Sequence, residues 1–135
     1  MADTLVLHVL TPQREICDEP VEQVTAEGTL GQFGVLPDHI AFLTSLEPGS
    51  LSFRKAGGGE KKLAVKGGYA EVRDNVMTVL ADDAVAVERI DVSEAKRDLE
   101  RAAAAVDETP YGQPEHERAR LDLRWAEVRL ALAGS

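Results

Sequence analysis

This sequence has almost none of the residues that stabilise small proteins through covalent or metal crosslinks. Cys17 is the only cysteine, so no internal disulfide can form, and this fits a reducing compartment. The histidines show no metal-ligand spacing with one another or with Cys17, so we expect no metal site. Aromatic residues make up only 4% of the chain, but a hydrophobic fraction of 44%, rich in Val, Leu, Ile and Ala, still favours a folded domain over disorder.

The sequence also lacks positive charge and long apolar runs. Fifteen Lys and Arg residues stand against 24 Asp and Glu residues, which gives a net charge of -9. An acidic chain repels phosphate backbones, so we expect no nucleic-acid partner. No apolar run approaches the roughly 18 residues that span a bilayer, and the first residues resemble neither a signal nor a transit peptide. We therefore expect a cytosolic chain that reaches a membrane only through other proteins.

Residues 1–88 have the pattern of many short β-strands. Alternating apolar segments are separated by turn residues at Pro48-Gly49, at Gly57–Gly59 and at Asp74-Asn75. We interpret Gly67-Gly68 as a bulge or a close backbone approach. Strands at this spacing predict a β-sandwich or a flattened barrel, and we favour the sandwich.

Residues 89–135 have the period of α-helices. Asp91 and Glu94 have the spacing of a capping box, and Pro114 suits the first turn of a second helix. The predicted apolar stripes are Val92, Ala95, Leu99, Ala103 and Val106, and then Leu121, Trp125, Val128 and Leu132. The predicted fold class is therefore α+β, with a β-sandwich over residues 1–88 and an antiparallel two-helix hairpin over residues 89–135.

No group of residues predicts catalysis. Gly57–Gly59 lacks the lysine and hydroxyl of a phosphate-binding loop, and nothing around Cys17 or His39 supports a nucleophilic pair. Two alternatives stay open at this point: a hydrolase that uses Cys17 or His39, and a ligand-binding sandwich with a helical lid. We expect neither, and predict a chain that is not an enzyme.

The second predicted helix carries four arginines among four acidic residues. Its charges form either a solvated, salt-bridged face or a basic face for an acidic partner. The arginines are Arg118, Arg120, Arg124 and Arg129.

Three segments together carry a resemblance to a known family. The sequence GVLPDH at Gly34–His39 is followed by FLT at Phe42–Thr44 and EPG at Glu47–Gly49, and the other segments are KGGYAEV at Lys66–Val72 and NVMTVLAD at Asn75–Asp82. The segments are individually short but jointly specific. They resemble the epsilon subunit of F-type ATP synthases, and the similarity extends over essentially the whole chain.

The resemblance implies a β-sandwich of about ten strands that binds the gamma subunit and the c-ring of the rotor. It implies C-terminal helices that either fold back or extend into the alpha/beta catalytic head, where they inhibit ATP hydrolysis. A member of this family is a non-catalytic stalk subunit that couples proton-driven rotation to ATP synthesis. The implied location is peripheral, on the cytoplasmic face of a bacterial plasma membrane, with a plastid-encoded origin as the alternative.

Site residues follow from the resemblance by position. The implied gamma and c-ring interface is Gln32, Phe33, Pro37, Asp38, His39 and Phe42, and the implied regulatory contacts are Arg118, Arg120, Arg124 and Arg129. Many family members carry an acidic residue at the Gln32 position, and His39 is followed by Ile40-Ala41 where Ala-Pro is usual.

Some family members bind ATP at the start of the first C-terminal helix. In this sequence, Ile90, Asp91 and Ala95 match that motif, but Glu94 stands where the motif has arginine. A carboxylate in place of a cation repels a polyanion. We expect no cofactor, and a weak regulatory ATP site remains as the alternative to a simple capping box.

Overall fold

The computed structural model describes residues 3–134. The chain forms two compact units: a β unit that ends at Ala86 and a helical unit that begins at Val87. The domain boundary predicted after residue 88 falls inside a short 3-10 helix, Val87–Arg89, that opens the helical unit. Neither long helix within residues 3–134 is apolar enough to span a membrane.

The β unit contains eight strands within the described residues. All of them join one hydrogen-bonded sheet in the order β3-β2-β1-β7-β6-β4-β5-β8. The strands are β1 Leu5–Leu10, β2 Glu15–Gly28, β3 Gly31–Val35, β4 Phe42–Lys55, β5 Glu60–Val65, β6 Gly68–Arg73, β7 Val76–Ala81 and β8 Ala84–Ala86.

An additional pairing between β2 and β4 closes part of this sheet into a ring. The ring runs through β2, β1, β7, β6 and β4, and it contains one parallel pair, β1 with β7. Alternate side chains of β1 point inward, where Leu5, Leu7 and Val9 are almost wholly buried. They share a single hydrophobic core with Phe53 and Met77. The predicted architecture, a β-sandwich or flattened barrel around one core, is thereby confirmed.

The strand count differs from the ten that the resemblance implied. The strands β2 and β4 each have 14 residues, and each pairs with different neighbours along its two halves. Pro48-Gly49, which we predicted as a turn, lies inside β4 and is buried. The turn prediction was wrong because this proline and glycine mark a bend within a continuous strand.

A carboxylate from the neighbouring strand stabilises this bend. The β2–β4 register shifts between Ala26 and Gly28, so Glu27 lies opposite the bent part of β4. The Oε2 atom of Glu27 accepts hydrogen bonds from the Ser50 backbone N–H at 2.6 Å and the Ser50 hydroxyl at 3.2 Å. A side chain at position 49 would require the Glu27 carboxylate to move from this position.

The other turn and backbone predictions are confirmed. Asp74 and Asn75 both have positive φ angles, 51° and 64°, as a two-residue hairpin between β6 and β7 requires. Gly57–Gly59 form the tip between β4 and β5, and all three have positive φ. Gly68 is the predicted close approach, because a Cβ atom there would overlap the carbonyl oxygen of Leu80.

The helical unit contains two helices, α1 Val92–Glu108 and α2 Pro114–Ala133. Asp91 is the N-cap of α1, as predicted, and its carboxylate accepts the Glu94 backbone N–H at 3.1 Å. The stripe predicted for α1 was only partly right. Ala95 is buried, but Val92 and Ala103 are exposed and Ala102 is buried instead. One packed neighbour covers only a narrow stripe, and Val92 and Ala103 lie about 60–80° around the helix from Ala95.

Candidate functional site

The GVLPDH segment forms a tight turn after β3. Pro37 and Asp38 occupy the two central positions, and the His39 backbone N–H donates to the Leu36 carbonyl at 3.1 Å. Asp38 has a φ of 64°. A type II turn favours proline at its second position and requires positive φ at its third, so the sequence Pro37-Asp38 explains the local shape.

Asp38 also attaches this turn to a second turn. Its backbone N–H donates to the Asn75 side-chain oxygen at 2.7 Å, and the Asn75 amide donates to the Asp38 carboxylate at 3.3 Å. Asn75 lies in the β6–β7 hairpin, 37 positions along the chain. Sequence reasoning identified Asp74-Asn75 as a turn but missed this contact, because nothing local to either turn signals a partner so distant.

Three of the predicted interface residues form an aromatic cluster beside the turn. The Phe33 and Phe42 rings meet edge to face with 5.5 Å between centroids, and the His39 ring lies 5.1 Å from that of Phe42. The Nδ1 atom of His39 lies 2.8 Å from the Ile40 carbonyl oxygen. Gln32 precedes Phe33 on β3, so its exposed side chain lies on the opposite face of that strand and outside the cluster.

Large aliphatic side chains of the same segment face solvent. Leu36 is 57% exposed, Ile40 78% and Leu43 69%. We call Leu36–Leu43 together with Phe33 the loop surface. Contiguous exposed apolar residues commonly mark a contact with another protein. These three residues were not among the predicted interface residues, although three aliphatic residues around a turn, without strand alternation, could have signalled an exposed apolar surface.

The four arginines of α2 do not share one face. At 100° per residue, Arg120 and Arg124 lie together, roughly opposite Arg118 and Arg129. Arg118 and Arg124 are exposed, and Arg120 donates two hydrogen bonds to Glu117 at 2.7 and 3.1 Å. That hydrogen bond, together with the nearby guanidinium charge, lowers the pKa of Glu117.

Arg129 is buried between the two helices. Only 8% of its surface is exposed, and its guanidinium donates to the Asp98 carboxylate of α1 at 3.0 Å. The same guanidinium lies 4.9 Å from the centre of the Trp125 ring, within cation–π range. In this folded hairpin, Arg129 is therefore an internal contact, and the arginines available at the surface are the other three.

The residues matched to an ATP motif have other partners in the folded hairpin. The carboxylate of Asp91 caps α1, and the Ala95 side chain is fully buried. Ile90 is half-buried and Glu94 is exposed. Asp91 is the polar member of the matched set, and its carboxylate already serves as the helix cap.

Cys17 does not have the surroundings of a nucleophile. Its thiol is buried on the inner face of β2, 3.8 Å from the Leu7 carbonyl oxygen and 3.7 Å from the Glu19 carboxylate. Burial, and secondarily the Glu19 charge and hydrogen bond, raises the pKa of Cys17 to about 12. A reactive cysteine needs a lowered pKa, so Cys17 acts as a buried apolar residue.

Comparison with known proteins gives a consistent result. The family model described as the ATP synthase delta/epsilon chain, beta-sandwich domain, matches residues 4–87. The ATP synthase epsilon chain of Geobacter metallireducens is 40% identical over 134 residues, 99% of this chain and 96% of the relative. That of Nitratidesulfovibrio vulgaris is 39% identical over 135 residues, covering 100% and 99%.

A solved structure has the same fold along nearly the whole chain. It is a chain of the mitochondrial ATP synthase of Euglena gracilis, determined by cryo-electron microscopy as OSCP/F1/c-ring in rotational state 1. The TM-score is 0.80 at 26% identity, and the match covers 97% of this chain and 82% of that one.

Proposed function

Because this chain belongs to the family of ATP synthase epsilon chains, we propose that it couples rotation to ATP synthesis from the central stalk. The chain is accordingly a non-catalytic subunit of a rotary complex. In this role the β unit binds the gamma subunit and the c-ring, and the complex carries protons across the membrane. The chain itself is peripheral, on the cytoplasmic side of a bacterial plasma membrane, and contacts that membrane only through its partners.

The loop surface is the observation that best supports partner binding by the β unit. It combines the exposed side chains of Leu36, Ile40 and Leu43 with an aromatic cluster, beside a turn attached to the β6–β7 hairpin. A surface that transmits torque must keep its shape under load, and the Asp38–Asn75 hydrogen bonds restrain this turn. Apolar side chains at the centre of an interface contribute most when water is excluded from them.

Reconstitution of the enzyme with variant chains tests this proposal. Ile40→Glu introduces a charge on the loop surface, while Tyr111→Glu introduces the same charge at a 92% exposed aromatic residue of the helical unit. We expect Ile40→Glu to weaken binding to the gamma–c-ring complex at least tenfold and to lower proton-driven ATP synthesis. Tyr111→Glu should bind like the unmodified chain. Equal binding by the two variants, with correct folding shown by circular dichroism, would contradict the assignment of this surface.

We further propose that the helical unit inhibits ATP hydrolysis when its helices extend into the alpha/beta head. Two features support this: the helices form a compact unit of their own, and α2 carries Arg118 and Arg124 exposed. Deletion of residues 90–135 should raise hydrolysis by the assembled enzyme and leave gamma binding intact. Charge reversal at the exposed Arg118, Arg120 and Arg124 should likewise raise hydrolysis, whereas Arg129 pairs with Asp98 inside the folded hairpin. Unchanged hydrolysis in the deletion variant would refute the inhibitory role.

For ATP, we propose that the hairpin binds it weakly or not at all. The Asp91 carboxylate is engaged as the N-cap of α1, and the exposed Glu94 carboxylate would repel a triphosphate. Equilibrium dialysis with labelled ATP tests this. Glu94→Arg should bind ATP at least tenfold more tightly than the unmodified chain, and Glu94→Gln should lie between them. Tight binding by the unmodified chain would contradict the proposal.

A further inference from the structure

Three potential metal ligands meet on the outer face of β1 and β2. They are His8, Glu15 and Asp18, and one ligand atom from each lies within 4.8 Å of the others. His8 and Asp18 are direct partners across the antiparallel pair, and the Nε2 atom of His8 lies 2.9 Å from a Glu15 carboxylate oxygen. The spacing of the histidines in the sequence gave no indication of this cluster, because two of its members are carboxylates on a second strand.

A bulge in β2 places Glu15 in this cluster. The register passes from Val9 opposite Cys17 to Leu10 opposite Glu15, so Ile16 is an extra residue without a partner. In a regular strand, Glu15 would share the inner face with Cys17, since side chains alternate. The bulge reverses that alternation, so Glu15 is exposed on the same side as Asp18. Bulges that redirect a side chain in this way are often found beside functional sites.

We propose that His8, Glu15 and Asp18 form a surface site for a divalent first-row transition metal, with Zn²⁺ the best match. Imidazole nitrogen and carboxylate oxygen are both zinc ligands at about 2.0–2.2 Å. Donor atoms around one zinc ion therefore lie about 3–4 Å apart, and small side-chain rotations bring this cluster to that spacing. Three protein ligands leave at least one position open for water or for a group from another molecule.

The surroundings favour a cation at this point. Two carboxylates and one imidazole carry a surplus of negative charge, which a divalent ion offsets. On the other side of His8, its register partner is Thr78 of β7, an uncharged residue. The neighbours of His8 along β1 on the same face are Val6 and Leu10, also uncharged. The site would tie β1 to β2 at the end of the sheet where their register is irregular.

Isothermal titration calorimetry of the full, untagged chain with Zn²⁺ tests the proposal. We expect one ion per chain. His8→Gln should weaken binding at least tenfold, and Glu15→Gln and Asp18→Asn should each weaken it several-fold. The matched control is Glu71→Gln, which removes an exposed carboxylate from the same outer face, two strands away from His8. The control should bind Zn²⁺ within twofold of the unmodified chain.

Two further measurements separate coordination from general electrostatic attraction. On Zn²⁺ addition, the imidazole ¹⁵N resonances of His8 should shift while those of His39 and His116 stay in place. The thermal midpoint of the unmodified chain should rise by at least about 4 °C at saturating Zn²⁺, and that of His8→Gln should not. The proposal would be overturned if a folded His8→Gln variant bound Zn²⁺ as tightly as the unmodified chain does. It would also be overturned if the unmodified chain bound no Zn²⁺ up to roughly 1 mM, a concentration that corresponds to very weak affinity.

Discussion

Asp38 and Asn75, 37 residues apart, hydrogen-bond to each other in both directions across the end of the β unit. Both have a φ of 64°, a conformation in which Asn and Asp are tolerated better than most side chains. The pair joins the turn of the loop surface to the β6–β7 hairpin. Neither turn therefore holds its position independently of the other.

Removal of the Asn75 side chain should loosen the loop surface. Asn75→Gly keeps the positive φ but removes both hydrogen bonds, so we expect the free energy of unfolding to fall by about 1–2 kcal/mol. Asp74→Gly makes the same backbone change one residue earlier, at a side chain that is 92% exposed. Asp74→Gly should lower the free energy of unfolding clearly less than Asn75→Gly does. Urea denaturation of the full chain measures both, and equal losses would show that the Asp38–Asn75 contact contributes nothing.

Replacement of Glu27 should destabilise the bend in β4. Glu27→Ala leaves the Ser50 N–H without its 2.6 Å acceptor, and an unsatisfied polar group of this kind costs about 1–3 kcal/mol. Ser50→Ala removes only the 3.2 Å hydroxyl contact and should cost less. The control is Glu47→Ala, an exposed glutamate in the same bend. Urea denaturation measures these losses. Equal free energies of unfolding for Glu27→Ala and Glu47→Ala would contradict this account.

The Asp98–Arg129 ion pair should stabilise the folded hairpin. Trp125 is the only tryptophan of the chain and contacts Arg129, so its fluorescence reports on the packing of the helical unit. In a double-mutant cycle of Asp98→Asn and Arg129→Met, we expect a coupling of about 1–3 kcal/mol. The exposed Glu117–Arg120 pair, tested in the same way, should give a clearly smaller coupling, because solvent screens it. If the coupling between Asp98 and Arg129 is no larger than that between Glu117 and Arg120, the buried pair does not hold the helices together.

Cys17 should be almost inert in the folded chain. A rise in its pKa from 9.0 to about 12 lowers the thiolate fraction at pH 8 by about a thousandfold, and burial adds to this. Alkylation by iodoacetamide should therefore be slow at pH 8 and become fast when urea unfolds the chain. Rapid labelling without urea would show that β2 opens readily.

The same shift gives a pH dependence of stability. The folded thiol keeps its proton at pH values where the unfolded thiol loses it, so this contribution is complete below about pH 9 and is lost as the pH rises towards 12. Between pH 8 and pH 10, the unmodified chain should lose more stability than Cys17→Ala. A parallel decline in the two chains would show that other groups control the alkaline limit.

Local patterns predicted most of the fold. The alternation in β1, the Asp74-Asn75 hairpin and the Asp91 cap each depend on a few neighbouring residues, and all three are confirmed. Pro48-Gly49 was misinterpreted because a turn and a bent strand use the same residues. Whether the chain turns or continues as a bent strand depends on Glu27, 22 positions before Gly49. Its carboxylate accepts the Ser50 backbone N–H and so keeps the strand extended.

The candidate sites were predicted less completely from the sequence than the fold was. Pattern and resemblance indicated Phe33, His39 and Phe42, and the structure brings these rings together. The same reasoning grouped Arg129 with three other arginines, although its guanidinium lies between the helices. Helical periodicity shows which residues share a side, but only the packing of the second helix decides which charged side chain is buried against it.

The parallel pairing of β1 with β7 sets the order in which this protein can be completed on the ribosome. Residues 6–10 find their partners at residues 76–80, so the first strand made has no neighbour on one side until the seventh has emerged. Contacts so distant in sequence are slow to form. During most of synthesis, the inward residues of β1, all apolar, lack part of their final cover. The apolar face of the first strand thus stays partly uncovered until about the eightieth residue leaves the exit tunnel.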